Sequence, residues 1–140
     1  MEDRAFGDLL SLAQSVADPR RHNRIHNLSE IIVMAILAVL GGAEGWVDVH
    51  DFVEDEEPWF RTFLKLSGGI PSHDTFGRIF ARLVPSELER IVIGWTDTLR
   101  EQSQGRLLSI DGKSVRQSFT KGWDKSGMAH LVSVFMSENR

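Results

Sequence analysis

Residues 31–40, with the sequence IIVMAILAVL, are the most apolar stretch of the chain and restrict its fold most strongly. A membrane-spanning helix needs about 20 apolar residues, so this shorter run predicts a buried helix and no membrane partner. Asn27 is placed to cap the helix, with Glu30 as its capping-box partner. The Gly41-Gly42 pair ends it. Because the helix is apolar on nearly every side, we expect it in the middle of a helical bundle.

Apolar residues recur at helical spacing on both sides of this stretch. Proline and glycine set the boundaries: Asp18-Pro19 ends the first helix, and a glycine-containing turn at 67–71 separates two later ones. Ser72 is placed to cap the second of these two. The predicted helices lie at residues 6–16, at 28–40, from 46 onward, at 59–66, at 72–83 and from 85 to 99.

The pattern changes after residue 104. Residues 107–110 form a short apolar run before Asp111, and residues 128–136 form a second run rich in valine, leucine and phenylalanine. Both runs are typical of buried strands. We therefore predict a mainly α protein in two parts. A helical bundle with a helix-turn-helix-like pair occupies residues 1–104, and the first strands of an incomplete α/β domain occupy residues 105–140.

Composition excludes several classes of site. The chain has no cysteine, which excludes disulfides and cysteine-based metal sites and fits a reducing, cytoplasmic location. Its net charge of −4 argues against a uniformly basic nucleic-acid binder. The charge is segregated, however, so basic segments remain able to meet phosphates. Acid is concentrated at residues 44–57, and base at Arg20, Arg21 and Arg24 and at residues 106–125.

The helices at 59–66 and 72–83, joined by a glycine-containing turn, are a candidate helix-turn-helix. In that motif the N-terminal residues of the second helix face the base edges of DNA, and hydroxyls and arginines suit phosphate and guanine contacts. A helical hairpin packed in a core, with two solvated arginines, fits the same pattern, and spacing alone favours it. The candidate DNA-binding residues are Ser72, His73, Thr75, Arg78 and Arg82 on this helix and Arg20, Arg21 and Arg24 in the basic loop.

The segment Ile110-Asp111-Gly112-Lys113 is a second candidate site. A carboxylate at the end of a buried strand is well placed to hold a divalent cation such as Mg²⁺, although a two-metal site needs several carboxylates. Lys113 and Arg116 would steady a nucleic-acid backbone nearby. An ordinary Asp-Gly turn fits the same residues, and on spacing alone it is the better interpretation.

Several blocks of residues, in this order, resemble one family. They are Asp18-Pro19-Arg20, His26-Asn27-Leu28, Gly-Ile-Pro-Ser-His-Asp-Thr-Phe at 69–76, Ile-Asp-Gly-Lys at 110–113 and His-Leu-Val-Ser at 130–133. Together they resemble insertion-sequence transposases of the ISAs1 group, which includes the H repeat-associated proteins. The resemblance covers essentially the whole chain.

The resemblance implies a helical region followed by an RNase H-like catalytic domain. In that domain two aspartates and a glutamate bind two Mg²⁺ ions, and Asp111 would be the first aspartate. The reaction would be cleavage and strand transfer at the ends of a mobile element, by in-line attack on phosphorus. The partners would be the terminal inverted repeats of the element, and a second copy of the chain or an intact transposase.

The same resemblance places the second aspartate and the glutamate beyond Arg140. We therefore expect a truncated DDE transposase without activity of its own. Two alternatives stay open. One is a DNA-binding module that competes with intact transposase for element ends, and the other is a remnant without function, since the edge of an unfinished sheet invites association or degradation.

Overall fold

The structure, a computed structural model, describes residues 2–20 and 25–103, with side chains at 6–20 and 25–98. All regular elements in these ranges are helices, which confirms the mainly α prediction for this part of the chain. The two predicted strands, and the RNase H-like domain that they would begin, lie outside the described residues. The helices are α1 (Glu2–Ala13), α2 (Leu28–Leu40), α3 (Trp46–Asp55), α4 (Glu57–Phe60), α5 (His73–Ala81) and α6 (Pro85–Ser103).

Helix α2 is the buried centre of the bundle, as its sequence predicts. Every residue of Leu28–Leu40 is buried, and the helix packs against both α1 and α3. Asn27 caps it, because Asn27 Oδ1 accepts a hydrogen bond from the Glu30 N–H at 3.2 Å. Gly41 follows the last turn, where an added Cβ would lie 2.6 Å from Phe52 Cε2 of α3, so glycine permits the close approach of the two helices. No described helix is long and apolar enough to cross a membrane.

An aromatic cluster joins α1 to the rest of the core. The Phe6 ring centroid lies 5.1 Å from that of Trp59, 5.0 Å from that of Phe63 and 6.0 Å from that of Trp95 in α6. Phe6, Trp59 and Trp95 are all buried. Trp59 and Trp95 are therefore core anchors, and the first and last helices share one core.

Helix α4 is much shorter than the helix predicted at 59–66. It ends at Phe60, and Leu66 adopts a left-handed φ of 48°. The reason is a tertiary contact: the buried Glu30 carboxylate accepts hydrogen bonds from the Lys65 N–H at 2.7 Å and the Leu66 N–H at 3.2 Å. These donors therefore satisfy their hydrogen bonds outside a helix. The predicted capping box is only half formed. Asn27 caps the Glu30 N–H, but the Glu30 carboxylate accepts hydrogen bonds from Lys65 and Leu66 and not from the Asn27 N–H.

The predicted helix-turn-helix pair at 59–66 and 72–83 is consequently wrong. Helix α4, with four residues, is too short to serve as the first helix of such a pair. The packing partner of α5 is α3. The Trp46 ring of α3 lies 5.0 Å from the Phe80 ring of α5, and an added Cβ on Gly77 would lie 3.2 Å from Trp46 Cδ1. Helix α5 thus packs against α3, although α4 and the loop after it lie between them in the chain.

Candidate nucleic-acid interface

The N-terminus of α5 is capped as its sequence predicts. Ser72 Oγ accepts a hydrogen bond from the Thr75 N–H at 3.2 Å and lies 3.0 Å from Thr75 Oγ1. His73 Nδ1 lies 3.3 Å from Asp74 Oδ1, and both of these side chains are at least half exposed. The first turn of α5 therefore presents hydroxyl, imidazole and carboxylate groups to solvent.

Burial of one side of α5 determines which side chains face outward. Its apolar stripe, Phe76, Ile79 and Phe80, is buried. Arg78 and Arg82 are exposed, and Thr75 is half-buried. Residues three and four positions apart share a helix face, so Thr75, Arg78 and Arg82 form one outer row. Arg78 Nη2 also donates to Thr75 Oγ1 at 3.3 Å, which orients the guanidinium along the row.

The basic loop contributes an arginine that is buried. Arg20 is only 8% exposed, and it forms a two-point ion pair with Asp18: Nε donates to Oδ1 at 2.9 Å and Nη2 donates to Oδ2 at 2.8 Å. The Arg20 N–H also donates to Asp18 Oδ1 at 2.9 Å. Such a fork–fork pair fixes the plane of the guanidinium. The predicted contacts from Arg21 and Arg24 lie outside the described residues.

The loop and α5 meet at one cavity. Arg82 Nη2 donates to the Pro19 carbonyl oxygen at 2.9 Å and so ties the helix to the loop. Beside this bond lies a cavity of about 320 Å³. Its lining residues are Arg20, Ile25, His26, Thr75, Arg78, Ile79 and Arg82. The structure thus brings four of the predicted DNA-binding residues together, whereas Ser72 and His73 do not line the cavity.

A second cavity of about 390 Å³ shares Arg20, Ile25 and His26 with the first. Its lining also includes Asp18, Glu30 and Lys65, so the two carboxylates there offset the charges of Arg20 and Lys65. None of the described residues that line the first cavity is acidic. The two cavities therefore differ in charge, and the first is the one suited to an anion.

The sequence did not single out His26 or Ile25 as members of this site. Each lies about fifty positions before Thr75 and Arg78, so no local spacing connects them. The signal that was available is the His26-Asn27-Leu28 block, which carried the family resemblance without a role for the histidine. Only the tertiary tie between the loop and α5 brings these residues together.

The pKa of His26 is lowered from its ordinary value of 6.5, mainly because the imidazole is partly buried. The positive charge of Arg20 also lowers this pKa, whereas a hydrogen bond to the Gly69 backbone raises it and offsets part of the shift. The unfolded chain should therefore take up this proton first as the pH falls below 6.5. Stability contributed by neutral His26 should decline through that window, until the pH passes the lowered pKa of the folded state. Urea unfolding at a series of pH values should show a weaker decline in His26→Gln. The half-exposed His73→Gln is the control, and identical pH profiles for wild type and His26→Gln would contradict the assignment.

Metal ligands are a separate question. Within residues 2–20 and 25–103 no group of three or more histidine, aspartate or glutamate side chains is placed to hold a metal ion. Asp111, Lys113 and Arg116 lie outside the described residues, so the predicted Mg²⁺ site stays a prediction.

Comparison with known proteins gives a family. The DDE_Tnp_1-associated model matches residues 10–96. The putative transposase YncI of Escherichia coli O157:H7 is 33% identical over 132 residues, which cover 94% of this chain and 34% of YncI. The H repeat-associated putative transposase YhhI of Escherichia coli K12 is 34% identical over 110 residues, covering 79% of this chain and 29% of YhhI. The inactive transposase YbfQ of the same strain is 40% identical over 58 residues, covering 41% of this chain and 69% of YbfQ.

The chain spans about a third of the length of YncI and of YhhI. No solved structure matches it. The relatives confirm the resemblance to H repeat-associated transposases, while assignment to the ISAs1 group stays a prediction. Since the family model covers more than half of its residues, the chain belongs to the DDE_Tnp_1-associated family and is a relative of these transposases.

Proposed function

We propose that the helical region is the DNA-binding part of a transposase. The observation that carries this proposal is the convergence of Arg20, Arg78 and Arg82 on one cavity whose described lining contains no acidic residue. In a chain with a net charge of −4, such a local concentration of guanidinium groups is a departure from the average surface. Arginine binds phosphate through its planar fork, so DNA is the partner that this surface fits.

Helix α5 supplies two kinds of contact in this proposal. Arg78 and Arg82 lie on its outer row and would neutralise backbone phosphates, which provide most of the affinity for DNA. Ser72, His73 and Thr75 lie at its N-terminus and would approach base edges or phosphate oxygens. The exposed Asp74 carboxylate interacts favourably with the positive N-terminal end of the helix dipole. Its negative charge also weakens the attraction of this end of α5 for a phosphate.

The remaining basic residues extend the proposal along the chain. Arg21 and Arg24 continue the loop that Arg82 ties to α5, and Lys113 and Arg116 belong to the second basic segment of the sequence. We propose that they add further phosphate contacts. Recognition of terminal inverted repeats, and association with a second copy or with an intact transposase, belong to the same proposal and rest on the family resemblance, whose members here are named putative transposases.

The double substitution Arg78→Gln/Arg82→Gln should weaken binding to duplex DNA. Each lost phosphate contact should reduce the dependence of log K on log salt concentration by about 1, so the double variant should lose about 2 from the slope. The measurement is fluorescence anisotropy at several salt concentrations, with labelled duplexes that carry either the element's inverted repeat or a scrambled sequence. Thermal unfolding checks that the variant remains folded.

Arg61→Gln/Arg90→Gln is the matched control. It removes the same charge from two exposed arginines that pair with Glu57 and Glu87 and that do not line the cavity. If both double variants change the slope equally, the effect is one of net charge and the proposed surface is wrong. If the wild-type chain binds neither duplex, DNA binding by this region is refuted.

A second candidate function is metal-dependent DNA cleavage and strand transfer with Asp111 as a Mg²⁺ ligand. It is supported by the family resemblance and by relatives that are named transposases. Such catalysis needs several carboxylates around two metal ions, and the described residues assemble no group of three or more such ligands. Nicking of supercoiled DNA that requires Mg²⁺ and is abolished by Asp111→Asn would assign catalysis to this chain.

A further inference from the structure

We infer that the cavity between the basic loop and α5 is a seat for one phosphate of a nucleic-acid backbone, with the adjoining sugar against Ile25. The inference rests on the proposed function and adds the chemical unit that the site takes. The cavity measures about 320 Å³, at the lower end of the size range of ligand pockets, which are about 300–1,000 Å³. It suits one small charged group better than an extended ligand.

The cationic groups of the seat are held in place within the protein. Asp18 fixes the Arg20 guanidinium through two hydrogen bonds. Arg78 is oriented by its hydrogen bond to Thr75 Oγ1, and Arg82 by its bond to the Pro19 carbonyl. A ligand that meets donors already ordered loses less conformational entropy on binding. Partial neutralisation of Arg20 by Asp18 leaves Arg78 and Arg82 as the main source of net positive charge.

Charge distinguishes this seat from its neighbour. The second cavity is lined by Asp18 and Glu30 as well as by Arg20 and Lys65, so its two carboxylates oppose the attraction of its cations for a phosphate. Around the first cavity the described polar groups include three guanidinium groups and the Thr75 hydroxyl, which can donate hydrogen bonds to phosphate oxygens. An anion should therefore choose the first cavity.

Ile25 gives the seat an apolar rim. Its side chain is 71% exposed, although it lines the cavity. A lone exposed apolar residue is common on protein surfaces, so its meaning comes from its position beside three arginines. Gly68 packs closely against Ile25: a Cβ added at Gly68 would overlap the Ile25 carbonyl oxygen and lie 2.8 Å from Ile25 Cγ2. The carbons of a deoxyribose are the part of a DNA backbone that such a side chain can pack against.

The test compares inorganic phosphate with duplex DNA on the full chain. Addition of phosphate at constant ionic strength should give saturable NMR shifts at His26, Thr75 and Arg78. Arg78→Gln should bind phosphate about tenfold more weakly, the fold-change expected for loss of one hydrogen bond between charged groups. Arg61→Gln should bind phosphate as the wild type does.

Ile25→Ser should keep phosphate binding and lose duplex affinity several-fold. Arg78→Lys, which keeps the charge, replaces Arg78→Gln if that variant does not fold.

The outcomes separate this inference from the proposed function. Duplex binding without saturable phosphate shifts at the cavity would overturn the inference and leave DNA binding intact. Phosphate binding without duplex binding would keep the phosphate seat but overturn both the nucleic acid as its source and the proposed function. If Arg78→Gln and Arg61→Gln lose the same phosphate affinity, the phosphate site at this cavity is overturned. If Ile25→Ser keeps the wild-type duplex affinity, the contact between Ile25 and the sugar is overturned.

Discussion

Replacing Phe6 by alanine is expected to lower the free energy of unfolding by about 3–5 kcal/mol, the range for truncating a buried phenylalanine. Phe6 is 1% exposed. Its ring contacts those of Trp59 and Phe63, in α4 and the turn after it, and that of Trp95 in α6. Each of these large rings is held by its own neighbours, so they cannot collapse together into the space that the substitution leaves. The cavity cost should therefore add to the lost transfer free energy.

Urea unfolding followed by tryptophan fluorescence and by circular dichroism measures this loss. Phe6→Leu is the matched variant, because it keeps most of the apolar volume and should retain a large share of the stability. Leu10→Ala, at a half-buried position on the same helix, should cost less than Phe6→Ala. If Phe6→Ala costs under about 1 kcal/mol, the surrounding rings do repack, and α1 contributes little to the core.

The central helix could be predicted from the sequence because its signal is local. Residues 31–40 are apolar on nearly every side, and Asn27 and Ser72 are short polar residues placed directly before helical runs. Both caps form. The inward positions of α5, such as Phe76 and Phe80, follow from helical spacing in the same way. For these two caps and the inward face of α5, which depend on the chain within a few residues, sequence and structure agree.

The helix predicted at 59–66 fails because a distant residue competes for its backbone. The spacing of Phe60, Phe63 and Leu64 is helical, and Leu64 is buried as that pattern requires. Lys65 and Leu66, however, donate their N–H groups to Glu30, 35 and 36 positions earlier in the chain. No local pattern reveals that partner. The sequence placed Glu30 in a capping box, which is the common role of a glutamate three residues after an N-cap.

The candidate site likewise has a part that local sequence predicts and a part that only tertiary contacts determine. Thr75, Arg78 and Arg82 could be predicted as one surface, since they share a helix face. Arg20 was predicted to be a phosphate ligand, and the structure places it in the cavity but buries it against Asp18. Tertiary contacts, above all the bond from Arg82 to the Pro19 carbonyl, decide which loop residues join that surface.

Glu30→Ala is expected to lower the free energy of unfolding by about 2–3 kcal/mol, because it removes the acceptor of two backbone donors, of which the Leu66 N–H is buried and the Lys65 N–H part-buried. The Glu30 carboxylate is 9% exposed and accepts from Lys65 and Leu66. A buried N–H that loses its partner costs about 1–3 kcal/mol, and bonds to a charged acceptor are at the strong end. Glu57→Ala is the control: it removes a glutamate whose ion pair with Arg61 is largely exposed, so it should cost at most about 1 kcal/mol.

The same substitution should also disturb the phosphate seat, because Glu30 holds the loop that supports it. Gly68 packs beneath Ile25, and Gly69 provides the backbone hydrogen bond to His26. Gly68 and Gly69 lie two and three residues after Leu66, so release of Lys65 and Leu66 should loosen the support of Ile25 and His26, which line the cavity. Under conditions where Glu30→Ala remains folded, its affinity for duplex DNA should fall while that of Glu57→Ala stays at the wild-type level. Glu30→Ala with lowered stability and unchanged DNA affinity would show that the carboxylate supports the core alone.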